Sequence, residues 1–260
     1  MKLTTNLSTP LIELLRDRDA PIDGIEVGPW ISPREILDHR NALSGYPFYF
    51  HGGSVALRTR LFSDAGDTIL HYLEVTGSPW VSLHVGLHPL EMRRLCQRMG
   101  WRLPLPFPER SVRAFIRKMT ELSRRVIVPM LLENSDPVPI SDNYEVPAER
   151  MARILDATGS GLLLDIGHAR LAAEFLRISC EEYLAGLPME RIVQVHVSGP
   201  RTSGGRMVDA HETLQEEDYR LLEFVLKRSK PDVVTLEYTR RKDALRGQLW
   251  RLRDIIGAQE

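Results

Sequence analysis

The chain has 260 residues, 43% of them apolar and 27% charged, with 34 Lys and Arg set against 35 Asp and Glu. That composition excludes a disordered or fibrous chain, and the charge balance excludes a molecule that gathers nucleic acid or anionic membrane through a general field. The length suits a single α/β barrel over residues 1–260, a fold that runs to about 250 residues. Cys96 and Cys180 stand in neither a CxxC nor a Cys/His spacing, so both are expected reduced and inert rather than paired or zinc-bound. The opening MKLTTNLSTP lacks the apolar core of a signal peptide, and no run approaches the roughly 18 apolar residues of a membrane span. A cytoplasmic location without membrane association is the expectation.

Short β-rich runs alternate with stretches of helical period. In chain order, strands are predicted over residues 2–7, 24–27, 48–51, 80–86, 126–133, 161–165, 192–197 and 233–237. Helices are predicted over residues 10–18, 33–43, 65–76, 90–99, 108–124, 147–158, 170–187, 216–228 and 244–256. Strand followed by helix, eight times over, points to parallel pairing through right-handed crossovers and a closed (β/α)8 TIM barrel, with an open doubly wound sheet as the alternative. The runs VPMLL, GLLL and VVTL are nearly continuous in apolar residues, as strands covered on both faces should be. LPLPFPE (103–109) reads as a stiff loop, and the Gly-rich GPRTSGGRM (199–207), with Arg201 and Arg206, as a flexible one.

The C-terminal ends of these strands carry the chemistry. They hold His51, His84 followed by His88, Glu133, Asp165 with His168, His196, and Glu237, while Asp209 and His211 follow the seventh strand. In a barrel all such ends meet at one rim, where active sites are built. Taken singly, each residue has an ordinary explanation: Asp165 could cap the next helix, and Glu133 could pair with an arginine. Taken together, converging imidazoles and carboxylates must be desolvated side by side, which is costly unless a cation neutralises them. Four carboxylates and several imidazoles without a thiolate form a ligand set for iron, zinc or manganese. A carboxylate can bridge two ions, so this many ligands implies two or three metals rather than one. Glu133, Asp165 and Glu237 are the carboxylates at the centre of the expected chemistry.

On these residues the chain resembles the xylose isomerase-like superfamily of metal-dependent barrels. The D-x-x-H pair of Asp165 and His168, the strand-end His196, the D-x-H of Asp209 and His211, Glu133 and Glu237 are similar to the ligand pattern of endonuclease IV, a zinc phosphodiesterase. The segments FHGGSVAL, VSLHVGL, LLENS, YLAGLPMERIVQVHVSG, VDAHETLQEEDYRLLEFVL and TLEYTRRKDALRGQLWRL resemble the multinuclear non-haem iron family that includes methanobactin-biosynthesis oxygenases. VSLH in that alignment selects His84, whereas LHP resembles the endonuclease and keeps His88 a candidate. His168 stands where the iron family usually carries asparagine.

The resemblance implies iron-dependent oxidation of a cysteine in a ribosomally made peptide, often with a partner protein that presents the peptide. It implies three ligand sets: His51, His84 and Glu133; Glu133, Asp165, His196 and Glu237; and His168, Asp209 and His211. Two other chemistries use similar sites. One is phosphodiester hydrolysis, against which stands the lack of a basic, aromatic-studded insertion for opening a duplex. The other is sugar or sugar-phosphate isomerisation or epimerisation on a small molecule, with Glu26 or Glu237 as base. Trp30, Trp80 and Tyr238 are candidates to line a pocket above the metals, and the arginines of TRRKD (239–243) to hold an anionic group.

Overall fold

The computed structural model describes residues 1–58 and 64–258. Eight parallel strands close into a barrel: β1 (Lys2–Asn6), β2 (Gly24–Val27), β3 (Phe48–Gly53), β4 (Val81–His84), β5 (Met130–Glu133), β6 (Gly161–Asp165), β7 (Ile192–Val197) and, last, β10 (Val233–Leu236), which pairs back onto β1. Between β7 and β10 lies an antiparallel hairpin, β8 (Gly199–Ser203) and β9 (Arg206–Glu212). The helices are α1 (Thr9–Arg16), α2 (Pro33–Ala42), α3 (Ala65–Thr76), α4 (Leu90–Met99), α5 (Pro108–Ser123), α6 (Ala148–Thr158), α7 (Ile166–Leu176), α8 (Cys180–Ala185), α9 (Glu216–Leu226) and α10 (Lys242–Gly257). Among the described residues no helix is long and apolar enough to cross a membrane.

Helix starts follow capping chemistry. Ser8, Asp64 and Ser179 accept backbone N–H groups of the first turns of α1, α3 and α8, and Ser32 with Glu35 forms a capping box on α2. Three departures from the sequence reading have physical causes. The helix expected over 170–187 is two helices, because Arg177 takes a left-handed conformation (φ 59°) and Ser179 caps a new start. The strand expected from Val126 begins only at Met130, after a non-repetitive stretch that leads out of α5. The supposed flexible loop after β7 is the β8–β9 hairpin, turned at Gly204 and Gly205.

Strand alternation sorts the barrel into an outside and a stacked inside. Outward-facing Leu132, Leu162, Leu164, Val195, Val234 and Leu236 join the shell of helix residues such as Leu11, Phe115, Ile154, Leu222 and Leu249. Each such leucine contributes about 2 kcal/mol by leaving water. Inward-facing Tyr49, Trp80, Leu131, Leu163 and Val233 form a separate apolar layer at the bottom. Two residues further along the same strands stand His51, Ser82, Glu133, Asp165 and Thr235, and one step more on β4 and β10 brings His84 and Glu237. Register places the polar ends side by side: His84 opposite Glu133, and Asp165 opposite His196.

Candidate metal centre

His51, His84 and Glu133 converge on one point. The His51 and His84 Nε2 atoms are 3.1 Å apart, and Glu133 Oε2 lies 3.5 Å from the first and 3.1 Å from the second. Metal–ligand bonds of about 2.1 Å set neighbouring ligand atoms roughly 3 Å apart, so this triangle has the dimensions of one face of a coordination shell. Two serines aim the rings. Ser82 Oγ meets His51 Nδ1 at 2.9 Å and Ser54 Oγ meets His84 Nδ1 at 3.1 Å, which leaves both Nε2 atoms for the interior. Gly53, at φ +51°, ends β3 in a conformation other residues adopt at a cost, and a Cβ there would sit 3.4 Å from His51 Nε2.

A second group forms at the ends of β5, β6, β7 and β10. One ligand atom from each of Glu133, Asp165 and His196 lies within 4.8 Å of the others, and Glu237 Oε1 is 3.2 Å from His196 Nδ1. Asp165 uses its two oxygens differently. Oδ1 accepts the His168 backbone N–H at 2.7 Å and caps α7, while Oδ2 is buried with no hydrogen-bond partner. Asn134 fixes the same turn, its amide pairing with both backbone groups of Asp165. A Cβ at Gly167, between Asp165 and His168, would come within 2.2 Å of Ser198 Oγ, so a larger residue there must displace the Ser198 side chain.

The third group is His168, Asp209 and His211. His168 Nδ1 donates to the Asn134 carbonyl at 3.0 Å, which turns Nε2 toward Asp209 Oδ2 at 3.7 Å. Asp209 Oδ2 is also 3.4 Å from His211 Nδ1, and His211 Nε2 reaches Glu237 Oε2 at 3.1 Å. Both residues come from β9, so the hairpin folds over the rim to complete the cluster. His211 holds φ 47°, a strained conformation for a histidine of the kind that collects at functional sites. Arg240 braces the hairpin through Glu212 and the Ala210 carbonyl, and Arg201 through the Thr213 carbonyl, so neither is aimed at the mouth.

The charges in this mouth are mutually dependent. Burial opposes ionisation of Glu133, but His84 and His51 hold its carboxyl far below the usual range. Burial, reinforced by the charges of Glu237, Glu133 and Asp209, pushes Asp165 up to about 7. Burial lowers His51; in His84 it is outweighed by Glu133, which raises the imidazole. Carboxylate neighbours also overcome burial at His168 and His196, raising both well above the ordinary range, and at His211, raised to about 9. The protein alone thus balances its carboxylates with protons on imidazoles. Glu133 Oε2, Asp165 Oδ2, His196 Nδ1 and Asp209 Oδ1 are all buried without a hydrogen-bond partner. Buried polar atoms are rarely left so, and these four belong to one cluster of hard and borderline donors, which fits bound cations.

Nine of the ten expected ligands therefore share one mouth: His51, His84, Glu133, Asp165, His168, His196, Asp209, His211 and Glu237. His88 does not. The chain has left β4 four residues earlier, and His88 Nε2 rests 3.4 Å from the Pro104 carbonyl, lining a different cavity. A cavity of about 380 Å³ opens over the mouth, bordered by Trp30, Asn6 and Thr239. Trp80 is a second correction: it lies at the opposite end, in the bottom layer, and lines a cavity there with Lys2 and Lys230. Tyr238 is buried among the outer-shell residues. The residues that sequence reasoning passed over are Ser54, Ser82 and Asn134, which orient ligands, and the only signal for them was position beside a predicted ligand.

The profile of the RiPP (ribosomally made, modified peptide) precursor modification enzymes MbnB/TglH/ChrH matches residues 19–250. Curated relatives named UPF0276 protein are 25% identical in Chromobacterium violaceum and 26% in Rhizorhabdus wittichii, the matches spanning 76% and 75% of this chain and 72% of each relative. A third, from Paraburkholderia phytofirmans, is 25% identical over 61% of this chain and 55% of its own. Among solved structures, a xylose isomerase-like TIM barrel protein from Mycobacterium smegmatis in complex with magnesium superposes with a TM-score of 0.62 at 12% identity, covering 99% of this chain and 97% of that one. The Escherichia coli 3-keto-D-glucoside 4-epimerase gives 0.61 at 14%, covering 98% and 99%. At such identities these two likenesses establish the (β/α)8 barrel fold and nothing finer. The match over residues 19–250 makes the chain a member of the MbnB/TglH/ChrH family of RiPP precursor modification enzymes.

Proposed function

We propose that this protein oxidises a cysteine residue of a peptide with dioxygen, using two or three iron ions held in the barrel mouth. The observation that carries the reading is the set of four orphaned buried atoms on Glu133, Asp165, His196 and Asp209, within a family of peptide-modifying enzymes. His51, His84 and Glu133 would hold one ion, Glu133, Asp165, His196 and Glu237 a second, and His168, Asp209 and His211 a third. Bound iron would supply a redox-active Lewis acid that takes a thiolate as ligand and lets electrons pass from the cysteine to dioxygen.

The chain's own residues do the rest. Glu133 belongs to two sets of close donor atoms, one with His51 and His84 and one with Asp165 and His196, so one carboxylate spans two groups. The open edges of the cluster are His84 and His211, with side chains 31% and 44% exposed, while Asp165 and His196 lie sealed beneath. Substrate therefore reaches the centre from the His84–His211 side, beneath Trp30, whose ring centroid is 6.3 Å from that of His51. The indole offers an apolar wall to the residues flanking a cysteine. A partner protein that presents the peptide belongs to the same reading.

His168 favours a second reading, because it completes the third group with a nitrogen ligand as a zinc phosphodiesterase does. The deciding experiment is anaerobic purification followed by metal analysis, Mössbauer spectroscopy and dioxygen uptake with cysteine-containing peptides. Iron with peptide-dependent oxygen uptake is expected. Zinc alone with cleavage of abasic DNA would establish the hydrolase instead, and sugar turnover without oxygen uptake an isomerase.

A further inference from the structure

Glu26, on β2, lies inside the barrel, fully buried, and one of its oxygens reaches His196. It could be counted a metal ligand, since Glu26, His196 and Glu237 together offer three close donor atoms. The ring geometry argues otherwise. Glu26 Oε2 is 3.0 Å from His196 Nε2, whereas Glu237 Oε1 is 3.2 Å from His196 Nδ1, on the other side of the imidazole. The lone-pair directions of the two ring nitrogens diverge widely, so an ion bound at one nitrogen is turned away from the carboxylate at the other.

The proton on the ring can be placed by following donors across the barrel. Trp80 Nε1 can only donate, and it lies 2.9 Å from Gln194 Oε1, which fixes which end of the Gln194 amide is oxygen. Gln194 Nε2 then faces Glu26 Oε2 at 2.6 Å and Thr235 Oγ1 at 2.8 Å, and its two hydrogens are used by those acceptors. Its 3.1 Å approach to His196 Nε2 is consequently not a donation to that nitrogen. His196 Nε2 must itself carry hydrogen and donate to Glu26, leaving Nδ1, 3.2 Å from Glu237 Oε1, as the nitrogen that faces the ligand cluster. Asn6 Nδ2, 3.4 Å from Glu26 Oε1, holds the other carboxylate oxygen.

We infer that Glu26 is a positioning residue and not a ligand: oriented by the Trp80–Gln194 pair at the barrel's floor, it forces His196 to bind metal through Nδ1, whereas His51, His84 and His168 present Nε2. A buried carboxylate behind a ligating imidazole raises its basicity and fixes its tautomer, and losing such a partner typically weakens metal binding about 10- to 100-fold. The inference rests on the mouth holding metal, and it ties the metal site to an indole in the bottom layer that touches none of the ligands.

The test needs no substrate. In Zn(II)-loaded protein carrying ¹⁵N-histidine, long-range ¹H–¹⁵N spectra should show His196 protonated at Nε2 and metal-bound at Nδ1, with His51 and His84 bound through Nε2. Zn(II) titration should show one class of site weakened about 10- to 100-fold in Glu26→Gln, partly restored in Glu26→Asp, and weakened less in Trp80→Phe. Circular dichroism checks that each variant is folded, and the wild-type spectra stand without any variant. Metal-bound Nε2 at His196, or wild-type affinity at every site in Glu26→Gln, overturns the inference while leaving the metal centre in place. Failure of the wild-type protein to take up Zn(II), Mn(II) or Fe(II) removes both.

Discussion

Two buried polar layers lie within one strand step of each other inside this barrel, and they are built on opposite rules. In the lower one, Thr4, Thr235, Gln194 and Trp80 satisfy one another: Thr4 and Thr235 hydroxyls are 2.7 Å apart, and Gln194 uses its oxygen on Trp80 and its nitrogen on Thr235 and Glu26. In the upper one, Glu133, Asp165, His196 and Asp209 each keep a buried atom that makes no hydrogen bond. The lower layer is a finished network that fixes geometry, and the upper layer is an unfinished one that requires a ligand. The difference separates residues that would hold metal from residues that aim them.

The comparison breaks most severely at Glu133. Glu133→Ala removes a carboxylate facing two groups at once, so we expect loss of more than one ion per chain and of activity down to background, measured by metal analysis and peptide turnover. Retention of the full metal content would deny it a bridging role. Asp165→Asn sharpens the contrast within one side chain. The amide oxygen can still cap α7, so metal is lost while folding stability is kept. Asp165→Ala loses the cap as well, a further 0.5–2 kcal/mol or so in chemical denaturation. Equal stability of the two variants would deny the cap.

Protons provide the next test. In the metal-free protein His211 is raised to about 9, so its pairing with Glu237 and Asp209 stabilises the fold fully below about pH 6.5 and is lost as pH rises through about 9. Metal must displace that proton. Uptake of Zn(II) at pH 7 should release protons into a weakly buffered solution and tighten as pH rises toward 9, and uptake without proton release would contradict the charge balance described above. Ser82→Ala, which frees the His51 ring, should weaken the first group about 10- to 100-fold without moving the others. His88→Ala should change neither metal content nor turnover, and a loss of metal would return His88 to the ligand set.

Most of this site was legible because the largely apolar runs LLLD, VQVH and VVTLE each end in a titratable residue at the C-terminal end of a strand, where only solvent or a ligand can satisfy it. The (β/α)8 order followed from the succession of strand and helix, eight times over. Alternation does not say how high in the barrel an inward residue sits, so Trp80 read as a pocket residue though it lies on the floor, and Glu26 read as a possible base though it backs His196. His84 and His88 carry the same local signal in VSLHVGLHP, and only the end of β4 separates them. The hairpin was read as a loop because its pairing depends on contacts across Gly204 and Gly205 rather than on strong β-formers. Asp165 shows the opposite limit: capping a helix and facing the metal mouth looked like rival explanations, and its two oxygens do both.

The most direct measurement is anomalous diffraction at the iron edge from crystals grown anaerobically with Fe(II). Two or three peaks among His51, His84, Glu133, Asp165, His168, His196, Asp209, His211 and Glu237 are predicted. No peak in the mouth, or iron bound only elsewhere on the molecule, would contradict the account.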